Sequence, residues 1–258
     1  MTDRVQLSKI KYWQSRFAGK TVPWLGGEDH EENFDLIMAD AQSRALLQSQ
    51  GWTKENVSYS LNKDGFRGPA KQDIKGKYFC AFGCSITFGQ SMNFEDTYGS
   101  QLADMLGMAY LNFGISGGSD DGSVRLAITH LNDLTPEFVV FQTTFDHRYE
   151  SISNNFASTY GVQPTVGGKV PLDDGVFFRD WIVNDVNRQL NQDKNIMAIK
   201  WLCHERSIPL YIISIDDFLS AMARNGDYAR DLRHPGRISH REIANNLYQR
   251  IQGEKNEF

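Results

Sequence analysis

The chain has 258 residues, 40% of them hydrophobic and 23% charged, with a net charge of −5. That length holds one large domain or two small ones, and the acidic balance argues against a nucleic-acid partner, which needs a clustered basic face. No apolar run approaches the ~18 residues of a membrane span, and the stretch from Met1 to Leu7 lacks the apolar core of a secretory leader. The expectation is therefore a cytoplasmic protein without a membrane partner, although a virion component would read the same way. Cys80, Cys84 and Cys203 are an odd set with one close pair, which predicts reduced thiols and no zinc site.

Residues 1 to 56 are hard to read. Tyr12, Trp13, Phe17, Trp24 and Leu25 are apolar without clean periodicity, and Gly26-Gly27 interrupts them. The stretch from Glu31 to Gln50 predicts one amphipathic helix. This region reads as an extension packed on or beside a main domain at 57–258, and it is the candidate surface for a homo-oligomer or larger assembly. Val57 to Asn62 alternates like a half-exposed strand, and Asn62-Lys63-Asp64-Gly65 reads as a turn.

A regular rhythm begins at Lys77. A short apolar strand runs to Phe82 and ends at Gly83. A helix follows from Glu95, stopped by Gly107. Ala109 to Phe113 is a second strand, and Asp120 to Leu134 a second helix. Glu137 to Thr143 is a third strand, almost continuously apolar as in sheets buried on both faces. Residues 145 to about 180, rich in serine, asparagine and glycine, form an insertion with room for a short hairpin. Asn184 to Glu205 is a long helix, Pro209 to Ile215 a fourth strand, Asp217 to Arg224 a short helix and Arg237 to Ile251 the last one. Alternating strands and helices predict an α/β fold, a parallel sheet covered on both faces.

Open α/β sheets bind ligands at the carboxyl ends of their strands. Ser85 follows the first strand of this rhythm, between Gly83 and Gly89. A serine nucleophile needs a base, and the base an orienting acid. His130 and His204 fall inside helices. His234 lies in Asp231-Leu232-Arg233-His234-Pro235-Gly236, just before the last helix, and Asp231 is three residues away. A carboxylate at that spacing can fix the imidazole tautomer. Arg230, Arg233 and Arg237 read as surface charges, with a small anionic ligand as the sharper alternative.

Together, Gly83-Cys84-Ser85-Ile86-Thr87 and Asp231-xx-His234-Pro235 resemble the SGNH (GDSL-type) hydrolase superfamily over about residues 57 to 251. Asn62-xx-Gly65-Phe66-Arg67-Gly68 resembles the segment preceding its nucleophile, and Asn112-Phe113-Gly114-Ile115-Ser116-Gly117-Gly118 its second block. The resemblance implies a flavodoxin-like three-layer α/β/α domain. It also implies Ser85 as nucleophile, His234 as base, Asp231 as orienting acid, and the N–H groups of Ser85 and Gly117 as an oxyanion hole. It implies no metal or cofactor, and a small-molecule or carbohydrate ester as substrate. His240 matches a position that is structural in the family.

Two departures from the family pattern stand out. Cys84 replaces the usual aspartate before the nucleophile. At the third block, Thr143-Thr144-Phe145-Asp146-His147-Arg148 places Phe145 where the family has an oxyanion-binding asparagine, and phenylalanine donates no hydrogen bond. Thr144 and Arg148 are the candidate replacements for that donor, and Arg148 is also the candidate substrate-binding residue. Two readings stay open. One is a serine esterase or deacetylase acting on an ester such as an O-acyl group on a carbohydrate, with acyl transfer as a variant. The other is a weak or inactive protein of the same fold with a glycan-binding or assembly role.

Overall fold

The structure is a computed structural model. It describes residues 7–153, 155–161 and 184–255. The later part of the expected insertion lies outside the described residues.

The N-terminal segment carries little regular structure. A two-residue ladder pairs β1 (Thr21–Val22) with β2 (Tyr59–Ser60), antiparallel. The expected single helix is two, α1 (Glu31–Ala39) and α2 (Ala41–Ser49). Asp40 breaks it. Its backbone is extended, and its carboxylate caps α2 by accepting the Ser43 N–H at 2.8 Å, the competition that short acidic side chains offer a continuing helix.

From Tyr78 the predicted rhythm unfolds as β3 (Tyr78–Gly83), the single-turn α3 (Ser85–Phe88), α4 (Tyr98–Leu106), β4 (Ala109–Gly114), α5 (Asp120–His130) and β5 (Val139–Thr143). A hairpin follows, β6 (Arg148–Ser153) with β7 (Phe156–Gly161). The chain closes with α6 (Asp185–His204), β8 (Leu210–Ser214), α7 (Ile215–Asn225) and α8 (Arg237–Lys255). Helix α4 starts later than expected because Thr97 caps it, its hydroxyl accepting the Ser100 N–H; it ends at Gly107 in the left-handed region.

The main sheet is parallel, in the order β4-β3-β5-β8. Its strands alternate between two apolar layers. Cys80 and Phe82 pack with Val124 and Ala127 of α5 and Ile199 and Leu202 of α6. Phe79 and Ala81 pack with Leu102 of α4, Phe218 of α7 and Ala244 and Leu247 of α8. The result is a three-layer α/β/α fold with flavodoxin-like strand order. The crossover from β3 runs to β4 on one side, and the next returns past β3 to β5 on the other. The topological switch point therefore lies at the carboxyl ends of β3 and β5, where such sheets hold their ligands.

A third apolar cluster joins the N-terminal segment to this end of the sheet. Leu25, Phe34, Leu47, Trp52, Val57 and Tyr59 pack with Phe88 and Met92, which follow β3, and with Ala229 near the last helix. Among the described residues no helix is long and apolar enough to cross a membrane.

Candidate active site

Ser85 is placed by a tight turn. A Cβ on Gly83 would stand 2.6 Å from Gln142 Oε1 and closer still to Thr87 Oγ1, so the turn admits only glycine there. The Gln142 side-chain carbonyl accepts from the Cys84 N–H at 3.1 Å, the Cys84 thiol at 3.3 Å and the Thr87 hydroxyl at 3.2 Å. Cys84 is thereby turned inward, and Ser85 begins α3. Gly89 ends that turn at a φ of 81°.

The second part of the site hangs between α7 and α8. The Ala229 N–H donates to the His234 carbonyl at 2.8 Å and the Leu232 N–H to the Ala229 carbonyl at 2.9 Å. Within this loop His234 Nδ1 lies 2.6 Å from Asp231 Oδ2, and His234 Nε2 lies 2.9 Å from Ser85 Oγ. The backbone N–H groups of Arg233 and His234 both donate to Asp231 Oδ1 at 3.0 Å. The sequence-named residues Ser85, His234 and Asp231 are thus brought into one chain of hydrogen bonds. Asp231 is buried, and the His234 side chain is 16% exposed.

The electrostatics follow from the contacts. Burial raises the Asp231 pKa, but the His234 charge and three N–H donors outweigh it and hold the carboxyl well below its usual range. Burial lowers His234, and the Asp231 carboxylate more than offsets it, so the imidazole is a stronger base than free histidine. Burial pushes His240 down to about 3. Its Nδ1 accepts the Tyr98 N–H at 2.9 Å, which makes it a neutral cap for α4.

The loop after β4 carries Gly117 at a φ of 72°, with open space where a side chain would stand. It is anchored by the Ile115 N–H on the Gly83 carbonyl at 2.9 Å and by two residues of the N-terminal segment. Gln14 Oε1 accepts the Ser116 N–H at 3.1 Å, and Trp13 Nε1 donates to the Ser116 carbonyl at 2.9 Å. Beyond β5, the Thr144 N–H is committed to Asp120 Oδ1 at 2.8 Å. Burial raises Asp120 to about 7, even with that bond and the nearby Arg148 lowering it. Arg148 Nη1 donates to the Thr144 hydroxyl and the Gly118 carbonyl, both at 3.3 Å, and its guanidinium lies 5.1 Å from the Phe145 ring centre. The positive charge of Arg148 lowers the basicity of His234, a smaller effect than that of Asp231.

Two sequence expectations need correction. Arg230 is no surface charge: it is fully buried on Asp29. Arg237 is half-covered, paired with Asp96 at 3.0 Å and stacked 3.8 Å from the Trp52 ring centre. Sequence reasoning also missed Asp29, whose partner lies 201 positions along the chain, with no motif linking the two. Among the described residues no three histidine, cysteine or acidic side chains gather as a metal ion would need.

No protein-family model and no curated protein matches the chain. Several solved structures are similar to it. The psychrotrophic esterase EstA of Pseudoalteromonas sp. is 12% identical, over 70% of this chain and 100% of that one, with a TM-score of 0.47. A member of the lipolytic G-D-S-L family from Veillonella parvula is 12% identical, over 67% and 97%, with a TM-score of 0.36. The acetyl xylan esterase Est2A of Butyrivibrio proteoclasticus is 12% identical, over 74% and 66%, with a TM-score of 0.38.

Proposed function

We propose that the chain is a divergent SGNH-type serine hydrolase that cleaves an ester through an acyl-enzyme, with an O-acyl group on a carbohydrate as the substrate class. The observation that carries this reading is the relay from Ser85 Oγ through His234 to Asp231, at 2.9 and 2.6 Å. Those distances lie within the range for proton transfer between a nucleophile and its base.

Ser85 Oγ attacks the ester carbonyl while His234 Nε2 takes its proton. Asp231 stabilises the imidazolium and keeps Nδ1 protonated. The developing oxyanion is met by the Ser85 and Gly117 N–H groups. Ser85 opens a helical turn, where the first N–H groups lack intrahelical acceptors. Arg148, bonded to the Gly118 carbonyl and the Thr144 hydroxyl, supplies positive charge in place of the missing asparagine amide. His234 returns its proton to the leaving alcohol, and water then attacks the acyl-enzyme with His234 again as base, releasing the acid and restoring Ser85.

The test compares p-nitrophenyl acetate turnover and fluorophosphonate labelling in the wild type and Ser85→Ala. Loss of both in the variant supports the reading, and equal rates in the two proteins sink it.

A further inference from the structure

The loop that carries Asp231 and His234 rests on the N-terminal segment. Arg230, the residue before Asp231, is completely buried. Its Nε donates to Asp29 Oδ1 at 3.1 Å and its Nη2 to Asp29 Oδ2 at 2.7 Å, the two-pronged geometry that fixes a guanidinium in place. Nη2 also donates to the Pro23 carbonyl at 2.9 Å, Nη1 to the Lys54 carbonyl at 3.1 Å, and the guanidinium lies 3.8 Å from the Trp24 ring centre.

Asp29 reaches the nucleophile side as well. It accepts the Tyr59 hydroxyl, and that hydroxyl accepts the Ser91 N–H at 2.7 Å. The Ser91 carbonyl accepts the Arg230 N–H at 3.0 Å. Ser91 lies just beyond Gly89 and Gln90, whose N–H groups both bond the Ser85 carbonyl at 2.9 Å. One carboxylate therefore ties the segment behind the nucleophile to the loop holding the acid and base.

Two further contacts lie on the same loop. Leu232 has a φ of 56°, a conformation a leucine keeps only where its surroundings hold it, and it packs against the cluster of Leu25, Phe34 and Trp52. Arg233 pairs with Glu28 at 2.5 Å.

We propose that Asp29 is a positioning residue for His234: by clamping Arg230 it sets the height and angle of the Asp231–His234 loop over Ser85. This rests on the hydrolase reading above. The charged groups that act on the imidazole are Asp231, which touches it from its own loop, and at longer range Arg148 on β6 and Asp29 on the N-terminal segment.

Asp29→Asn preserves shape and removes the charge. Ser85-dependent turnover of p-nitrophenyl acetate is expected to lose about 10²-fold in kcat, the scale of a displaced catalytic group, with KM little changed. The acid limb of the pH profile moves to lower pH, because a negative charge that favours the imidazolium is gone. The double variant Asp29→Asn/Arg230→Met replaces the ion pair with neutral groups. It is expected to regain melting temperature while kcat stays low, which separates positioning from stability and covers an Asp29→Asn chain that fails to fold. Titration of the His234 ring by NMR reads the same shift without turnover. The proposal is overturned if folded Asp29→Asn keeps both the wild-type kcat and the wild-type His234 midpoint, or if kcat returns with melting temperature in the double variant. Equal turnover by wild type and Ser85→Ala overturns the hydrolase reading instead, and the NMR midpoint then decides the role of Asp29 by itself.

Discussion

Asp231→Asn probes the proton relay with the smallest change of shape. The carboxylate accepts three N–H groups: His234 Nδ1 on one oxygen at 2.6 Å, and the backbone of Arg233 and His234 on the other at 3.0 Å. Asparagine has a single acceptor oxygen. The two backbone donors hold that oxygen where Oδ1 stood, so the amide NH₂ faces His234 Nδ1. The imidazole must then present a lone pair at Nδ1 and carry its proton on Nε2, 2.9 Å from Ser85 Oγ. A donor now stands where the nucleophile needs a base. A wrong tautomer of this kind costs about 10⁴ in rate, or ~5.5 kcal/mol. The assay is the second-order rate of fluorophosphonate labelling at Ser85, with far-UV circular dichroism to confirm folding. Labelling of Asp231→Asn within about tenfold of the wild type would falsify the assigned relay.

The pH dependence has a definite sign. His234 acts as base only when neutral, and the Asp231 carboxylate raises its pKa above the ordinary value of 6.5. Labelling therefore rises with pH through a midpoint above 6.5, and a midpoint below that value contradicts the assigned electrostatics. Arg148→Met is expected to lower the turnover number by about 10²–10³, the loss typical of one oxyanion donor, with Arg148→Lys recovering part of it. Unchanged turnover in Arg148→Met removes Arg148 from the reaction.

Much of the fold was legible because parallel strands buried on both faces read as unbroken apolar runs. Tyr78 to Phe82 and Val139 to Phe141 are such runs, and the helices between them end at recognisable stops such as Gly107. The break at Asp40 was not legible, since helical periodicity continues across it and only the capping bond to Ser43 divides α1 from α2. At the candidate site, Ser85, Asp231 and His234 were legible because their blocks resemble those of the SGNH superfamily, and the structure brings them within hydrogen-bond distance. The Asp29–Arg230 pair could not, because its partners are distant in sequence and a buried arginine looks like any other arginine until its carboxylate is found. The commitment of the Thr144 N–H to Asp120 was equally invisible, since it depends on how α5 docks against the end of β5.

The site sets two demands against each other. In the proposed mechanism a cation near the developing oxyanion favours negative charge on the substrate, and the same cation makes His234 a weaker base. Arg148 lowers His234, and Asp231 and Asp29 raise it. The balance falls on the side of the carboxylates, because Asp231 touches the imidazole directly while Arg148 is turned toward the Gly118 carbonyl and the Thr144 hydroxyl. A neutral asparagine amide in the third-block position would stabilise an oxyanion without opposing the base. With Phe145 there instead, the proposed use of a guanidinium costs His234 some basicity, and the direct contact with Asp231 outweighs that cost.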